Sequence, residues 1–589
     1  MVKYISCLLF VMFGALYNVN AQDYLISTPN TSLLLTAKPG EAARIHYYGT
    51  RIEENRIQQI FDSNLAFHSE SYPAFGIYSY NDKAMQVTHG DGNMSLDLAV
   101  ESVKQYTVAE AEITEILLKD KVYPFFVKQC YKAYKNSDVI GTWVEVTNQE
   151  KKPVTMYKFA SAFIPVRRGD NWLTHFHGTW GAENMLQEER LTDGQKIIKN
   201  EDGVRNTTNE NPSFMLTLDG KPQEETGHVF GASLAWSGNY TLKLDVDNNR
   251  IIKIYAGINE DASYYTLDPK KTFVTPEFAM TYSTTGKGGV SRNFHRWARM
   301  YKLSHADADR DILLNSWEGV YFKVDQEVMA QMMKDMSQLG GELFVMDDGW
   351  FGDKYPRDGG STSLGDWVVC KKKLPQGIEG LIASAKKCGI KFGLWIEPEM
   401  VNSKSELYEK HPNWIICQDN RTPTTGRGGT QMILDLSNPK VQDFVFGVVD
   451  NLMTNYPEIA YIKWDANASI MNYGSYYLPK DRQSHLYIEY HKGLNNVLER
   501  IRTKYPHLLM QACASGGSRV NYGLLPYFGE FWTSDNTDAY QRIYMQWGVS
   551  NFYPAIAMAS HVSADKNHQT GRRTPLKFRF DVAMSGDAA

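Results

Sequence analysis

From about Arg310 onward the chain alternates short apolar runs with amphipathic stretches, and run after run ends in charged or aromatic residues. The runs lie at 313–322, 342–350, 391–399, 432–436, 459–467, 508–514, 528–535 and 553–562. Periodicity predicts helices between them over 324–339, 378–388, 441–455 and 487–504. Strands separated by helices of this length pair in parallel, and eight of them predict a (β/α)8 barrel. The run ends read Asp347-Asp348-Gly349-Trp350, Glu397-Pro398-Glu399, Lys463-Trp464-Asp465 and Ser534-Asp535. In a parallel barrel the C-terminal strand ends form the active-site face. A carboxylate there costs several kcal/mol to desolvate unless it is paired. A single such Asp is as well explained as a helix N-cap. Repetition on several strands is not.

Upstream of this region the texture is all-β. Alternating runs such as Ile251-Ile252-Lys253-Ile254-Tyr255 are punctuated by Gly, Asn, Asp and Pro clusters, which predicts a large β-sandwich over 22–305 before a barrel at 306–589. Residues 1–21 read as a secretory signal peptide. Lys3 is the charged start, Ile5 to Leu16 an apolar stretch too short to span a bilayer, and Val19-Asn20-Ala21 the cleavage site. The expectation is a periplasmic or secreted protein without membrane insertion. The remaining cysteines, Cys130, Cys370, Cys388, Cys417 and Cys513, are odd in number and scattered, so they form neither a disulfide framework nor a zinc motif. A net charge of -5 gives no basic footprint for nucleic acid. Metal and cofactor motifs fail as well: Asp307 to Asp311 lacks the turn glycine and distal Glu of a calcium loop, and His561 and His568 lack ligand spacing. No cofactor and no metal are expected.

Lys463 and Asp465, two apart on a strand, point to one face. The ammonium keeps the Asp465 carboxylate ionised, as a nucleophile requires. Asp535 follows the aromatic run Phe528 to Ser534, whose partial desolvation raises a carboxyl pKa and suits a proton donor. This division of labour is that of glycoside hydrolysis. Asp538 rivals Asp535 for the acid role, with Asp435 a weaker outsider. Asp347 and Asp348 reach one pocket only if the chain turns, which Gly349 permits. Trp317, Trp350, Trp395, Trp464 and Trp532 sit at strand ends where they can stack on a sugar or simply fill core.

The motifs resemble those of the α-galactosidases of glycoside hydrolase family 36. The resemblance is carried by Phe344 to Gly352 (FVMDDGWFG), Gly393 to Val401 (GLWIEPEMV), Tyr461 to Asn467 (YIKWDAN), Cys513 to Arg519 (CASGGSR), Trp532 to Asp538 (WTSDNTD) and Ser560 to Ser563 with Asn567 to Arg572. It implies an N-terminal supersandwich, a TIM barrel and a retaining exo-hydrolase for terminal α-linked galactose in oligosaccharides. Asp465 would be the nucleophile and Asp535 the acid/base. Asp347, Asp348, Lys463, Trp317, Arg427 and Cys513 would contact the sugar, as would Trp395, Asn467, Ser515 and Trp532 within the same motifs. Ser515 departs from a family glycine. Family members also continue past the position of Ala589 into a C-terminal β-sandwich, so a truncated form, weakly stable and with the barrel incomplete at its end, is expected. They are often homo-oligomers, a state left open here. Alternatives are an α-N-acetylgalactosaminidase on the same scaffold and a non-catalytic sugar-binding protein.

Overall fold

A computed structural model describes residues 23–77, 82–247 and 251–588. The 1–21 leader lies outside the described residues. Between Asp23 and Ser283 the chain forms strands packed as layers. A ten-stranded antiparallel sheet, with Ala111–Asp120, Phe125–Tyr134 and Val139–Asn148 among its strands, faces smaller sheets that include Val154–Phe159 and Tyr240–Val246. Strand Ala111–Asp120 alternates buried and half-exposed residues along most of its length, as one face packed on a core requires. One continuous core, with Ile116, Val127, Val146, Phe214 and Ile254, fills the space between the layers.

Helix Gly286–Trp297 joins this unit to the next. Its Phe294 and Trp297 are fully buried against Tyr522 and Phe552 of the second unit, with ring centroids 4.9 Å apart for Trp297 and Tyr522. The second unit is an eight-stranded, all-parallel sheet. Its strands in chain order are Leu313–Asn315, Leu343–Met346, Lys391–Ile396, Ile459–Trp464, Leu509–Ala512, Glu530–Trp532, Met558–Ser560 and Asp587–Ala588, each paired with the one before. The helices between them start and stop where capping chemistry dictates. Asp325 accepts the Glu327 and Val328 amides at the start of Gln326–Gln338. Pro439 opens Pro439–Asn455 behind an Asn438 cap. Gly389 closes Gly377–Cys388 at φ +72.

Two sequence expectations are corrected. Residues 432–436 supply no barrel strand: Met432–Ile433 pairs antiparallel with Met400–Val401 in a separate ribbon. Between Ile396 and Met432 the only α-helix has five residues, Glu406–Lys410, too short for a parallel crossover. The crossover is Pro439–Asn455, so 459–464 is the fourth strand, and Asp465 and Asp535 follow the fourth and sixth strands instead of the fifth and seventh. The first strand is also shorter than expected, because Trp317–Val320 turns helical behind it. Asp587–Ala588 pairs with Met558–Ser560 as the eighth strand.

Candidate active site

The C-terminal strand ends converge on a cavity of about 320 Å³ whose wall includes Trp317, Glu318, Arg427, Lys463, Trp532 and Asp535. Asp465 continues the fourth strand by one residue, its amide donating to Ile396 O at 2.8 Å. Its Oδ1 accepts the amides of Ala466 at 2.9 Å and Ser515 at 3.2 Å, and Oδ2 accepts Trp395 Nε1 at 3.2 Å. Burial alone would raise its pKa, but the charges of Lys463 and Arg427 outweigh burial and hold the carboxyl below its ordinary value.

Lys463 donates to Asp347 Oδ2 at 2.9 Å, and Asn315 Nδ2 reaches the same oxygen at 2.7 Å. The turn after the second strand does separate the two adjacent aspartates. Gly349, at φ +122, lies where a Cβ would meet the Phe322 backbone at 3.1 Å. Asp347 faces Lys463, whereas Asp348 gives both oxygens to buried Arg357 at 2.9 and 2.8 Å.

Asp535 lines the cavity, close enough to Asp465 for the two charges to interact. Burial and then the negative charge of Asp465 raise its pKa, opposed by Lys463, by the Trp180 indole and by Arg427. Its rivals are otherwise employed. Asp538 caps helix Ala539–Ser550 and pairs with Thr570 and Arg572. Asp435 accepts the hydroxyls of Ser437 and Ser475 in a buried turn. Arg427 lies 3.8 Å from Glu397, and the charges of Glu397, Asp465, Asp348 and Asp535 together raise its pKa.

Ser515 occupies the left-handed region at φ +50, the conformation a glycine would adopt freely, and its hydroxyl donates to Asn467 Oδ1 at 2.5 Å. Asn467 Nδ2 is buried with no partner at full hydrogen-bond geometry, and it faces Asp465, whose pKa it helps to lower. Cys513 is a buried free thiol between Asp465 and Lys463, its pKa pushed up by burial and by the Asp465 charge. The tryptophans divide. Trp317 and Trp532 line the cavity; Trp395 is buried and serves Asp465 through its N–H; Trp350 and Trp464 are core, their N–H groups spent on Trp395 O and Glu399.

Several site residues escaped the sequence reading. His561 and His568, which lack metal-ligand spacing, line the cavity and flank Glu318 at 3.6 and 3.5 Å. Burial would raise Glu318, but His561, Thr537 and His568 pull its pKa down to about 2. Glu397, visible in sequence only as one of a strand-end pair, is fully buried and accepts the Asn467 amide at 2.5 Å. Burial and the Asp465 charge push it up to about 8. Trp180 and Glu183 come from the sandwich, and no spacing signal links them to Asp535. Among the described residues no group of three His, Cys, Asp or Glu side chains is arranged to hold a metal.

The Melibiase family profile matches residues 272–589, and the profile of the glycosyl hydrolase family 36 N-terminal domain matches 41–268. Alpha-galactosidase AgaA of Geobacillus stearothermophilus is 36% identical over 535 residues, covering 88% of this chain and 72% of that protein. Alpha-galactosidase Mel36A of Lactobacillus acidophilus is 33% identical over 592 residues, covering 96% and 80%. The fold superposes on a crystal structure of an AgaA variant in complex with raffinose with a TM-score of 0.91 at 32% identity, covering 96% of this chain and 82% of that one.

Proposed function

The chain belongs to glycoside hydrolase family 36 and hydrolyses α-galactosides, and from that premise we propose that it releases terminal galactose with retention, by double displacement between Asp465 and Asp535. The observation that carries this reading is a pair of interacting aspartates at the strand ends whose surroundings displace their pKa values in opposite directions. Lys463 and Arg427 hold the Asp465 carboxyl below its ordinary value, while burial and the Asp465 charge raise that of Asp535.

In the first step an Asp465 oxygen forms a bond to the anomeric carbon as the bond to the leaving oxygen breaks, and Asp535 gives that oxygen its proton. The ester so formed removes the charge of Asp465. The main electrostatic cause of the raised Asp535 pKa then disappears, and the carboxyl left ionised is a competent base. It takes a proton from water, which attacks the same carbon and releases Asp465 as carboxylate. Asp347, oriented by Lys463 and Asn315, and Asn467, beside Asp465, are the groups placed to bind ring hydroxyls. Cys513 and Ser515 pack beside Asp465, next to the attacked carbon, which favours a 2-hydroxyl over a bulkier N-acetyl group. Oligosaccharides of the raffinose type fit an exo mode of action, and the leader at 1–21 supports a periplasmic or secreted site of action.

The test is Asp465→Ala. Turnover of p-nitrophenyl α-galactoside falls below detection, and azide restores it with β-galactosyl azide as product. Undiminished turnover in that variant, or rescue giving the α-azide, overturns the assignment. The N-acetyl analogue, run beside the galactoside on the unaltered enzyme, decides the sugar.

A further inference from the structure

The carboxyl of Asp535 is not held by the barrel alone. Its two oxygens accept two indole N–H groups: Trp532 Nε1 to Oδ1 at 3.1 Å and Trp180 Nε1 to Oδ2 at 3.3 Å. Trp532 is three residues away on the same loop. Trp180 comes from the sandwich, 355 residues earlier in the chain. The turn that carries it is fastened to the Asp535 loop at further points. Asn536 Nδ2 donates to Gly181 O at 2.9 Å, and the Ser534 hydroxyl donates to Glu183 Oε2 at 2.5 Å. Glu183 also packs so tightly that a Cβ on Gly516 would lie 2.6 Å from its Oε1. Trp180 is 52% exposed, so core packing does not account for where its ring sits. The bond to Asp535 does.

We propose that Trp180 is a positioning residue for the acid/base, an N–H donor lent by the sandwich that holds Asp535 from the side opposite Trp532 and sets its proton equilibrium. The inference rests on the reading of Asp535 given above. Its sign follows from chemistry: an N–H donor favours the carboxylate over the acid. The charged and titratable groups facing Asp535 are Asp465 and Lys463 from the fourth strand, Cys513 after the fifth, Arg427 from the insertion after the third, Arg542 from the following helix and Glu183 from the sandwich. Asp465 and burial favour the acid form; Lys463, Arg427 and the Trp180 donor oppose them. Without the donor the balance tips further towards the acid. Protonation of the leaving group then persists to higher pH, and the base needed for the second step becomes scarcer at a given pH.

Trp180→Phe keeps a flat ring and removes only the N–H. With p-nitrophenyl α-galactoside, the alkaline limb of kcat/KM moves up by a few tenths to about one pH unit, the range for a charge-assisted hydrogen bond in a partly exposed position. Burial pushes the Glu183 carboxyl up to about 7, so below that pH Glu183→Gln exchanges one mostly neutral group for another, loosens the same turn and leaves the limb in place. A limb that stays in place in Trp180→Phe, or that moves equally in both variants, overturns the proposal, since a merely loosened loop shifts both. Asp535→Asn separates the two layers of the argument. An alkaline limb that survives in Asp535→Asn removes the acid/base reading and this inference with it. A limb lost in Asp535→Asn but unmoved in Trp180→Phe removes this inference alone.

Discussion

Asp465 and Asp535 carry the same side chain, and burial pushes both towards the neutral form. What separates them is the charge each one sees. Asp465 has Lys463 and Arg427 close enough to reverse the effect of burial, whereas Asp535 has the Asp465 anion adding to it. Activity needs the first ionised and the second protonated, so kcat/KM against pH is bell-shaped. The acid limb falls below the ordinary aspartate value of about 3.9 and the alkaline limb above it. Profiles on p-nitrophenyl α-galactoside measure both limbs; an acid limb above the alkaline one expected for a free aspartate contradicts the assignment. At this scale the sequence is informative wherever a period of two acts: it puts Lys463 and Asp465 on one face. It was silent about Glu397, whose protonation near neutral pH depends on complete burial beside Asp465, and about Trp180, whose partner lies at the far end of the chain.

Elements were legible to the extent that local rules fix them. Periodicity puts the helices 326–338, 377–388 and 439–455 within two residues of where they lie, and caps, proline and glycine account for their ends. The misplaced strand at 432–436 shows the limit of reading runs alone. Apolar character is the same in a barrel strand and in a two-residue ribbon, and only the crossover helix distinguishes them. The Glu-Pro-Glu end of the third strand divides its labour by packing as well. Glu397 faces the cavity side with Arg427, while Glu399 is locked inward by Arg519 at 2.7 and 3.0 Å, by Tyr490 at 2.5 Å and by Trp464 at 2.8 Å. Replacing Arg519 by Leu leaves a fully buried carboxylate without its counter-ion. The expected cost is about 3–5 kcal/mol, read as a lower denaturation midpoint at unchanged slope. A variant as stable as the parent shows that Tyr490 and Trp464 alone satisfy Glu399.

Across the whole molecule the sandwich and barrel share polar as well as apolar contacts. Thr207 donates its amide to Ser518 O at 2.9 Å and its hydroxyl to Gly517 O at 2.9 Å. Asn211 Nδ2 bridges Asn184 Oδ1 at 3.2 Å and Val520 O at 2.8 Å. These bonds tie the loop after the fifth strand to the segment that follows Trp180 and Glu183. Asn211→Ala is therefore expected to destabilise both units together by about 1–3 kcal/mol. Far-UV circular dichroism and tryptophan fluorescence then report one coincident, shifted transition, and two separated transitions of which only one moves would sink the coupling. The amino-acid sequence by itself determined the order of a β-rich unit before a parallel α/β unit, the face on which the carboxylates gather, and the nearness of the Lys463 charge to Asp465, because backbone periodicity and capping are local. The tertiary structure decided which strand is fourth, which tryptophans meet the cavity, how each carboxyl titrates, and that the sandwich reaches Asp535, because burial and Coulomb interactions depend on distances between segments hundreds of residues apart.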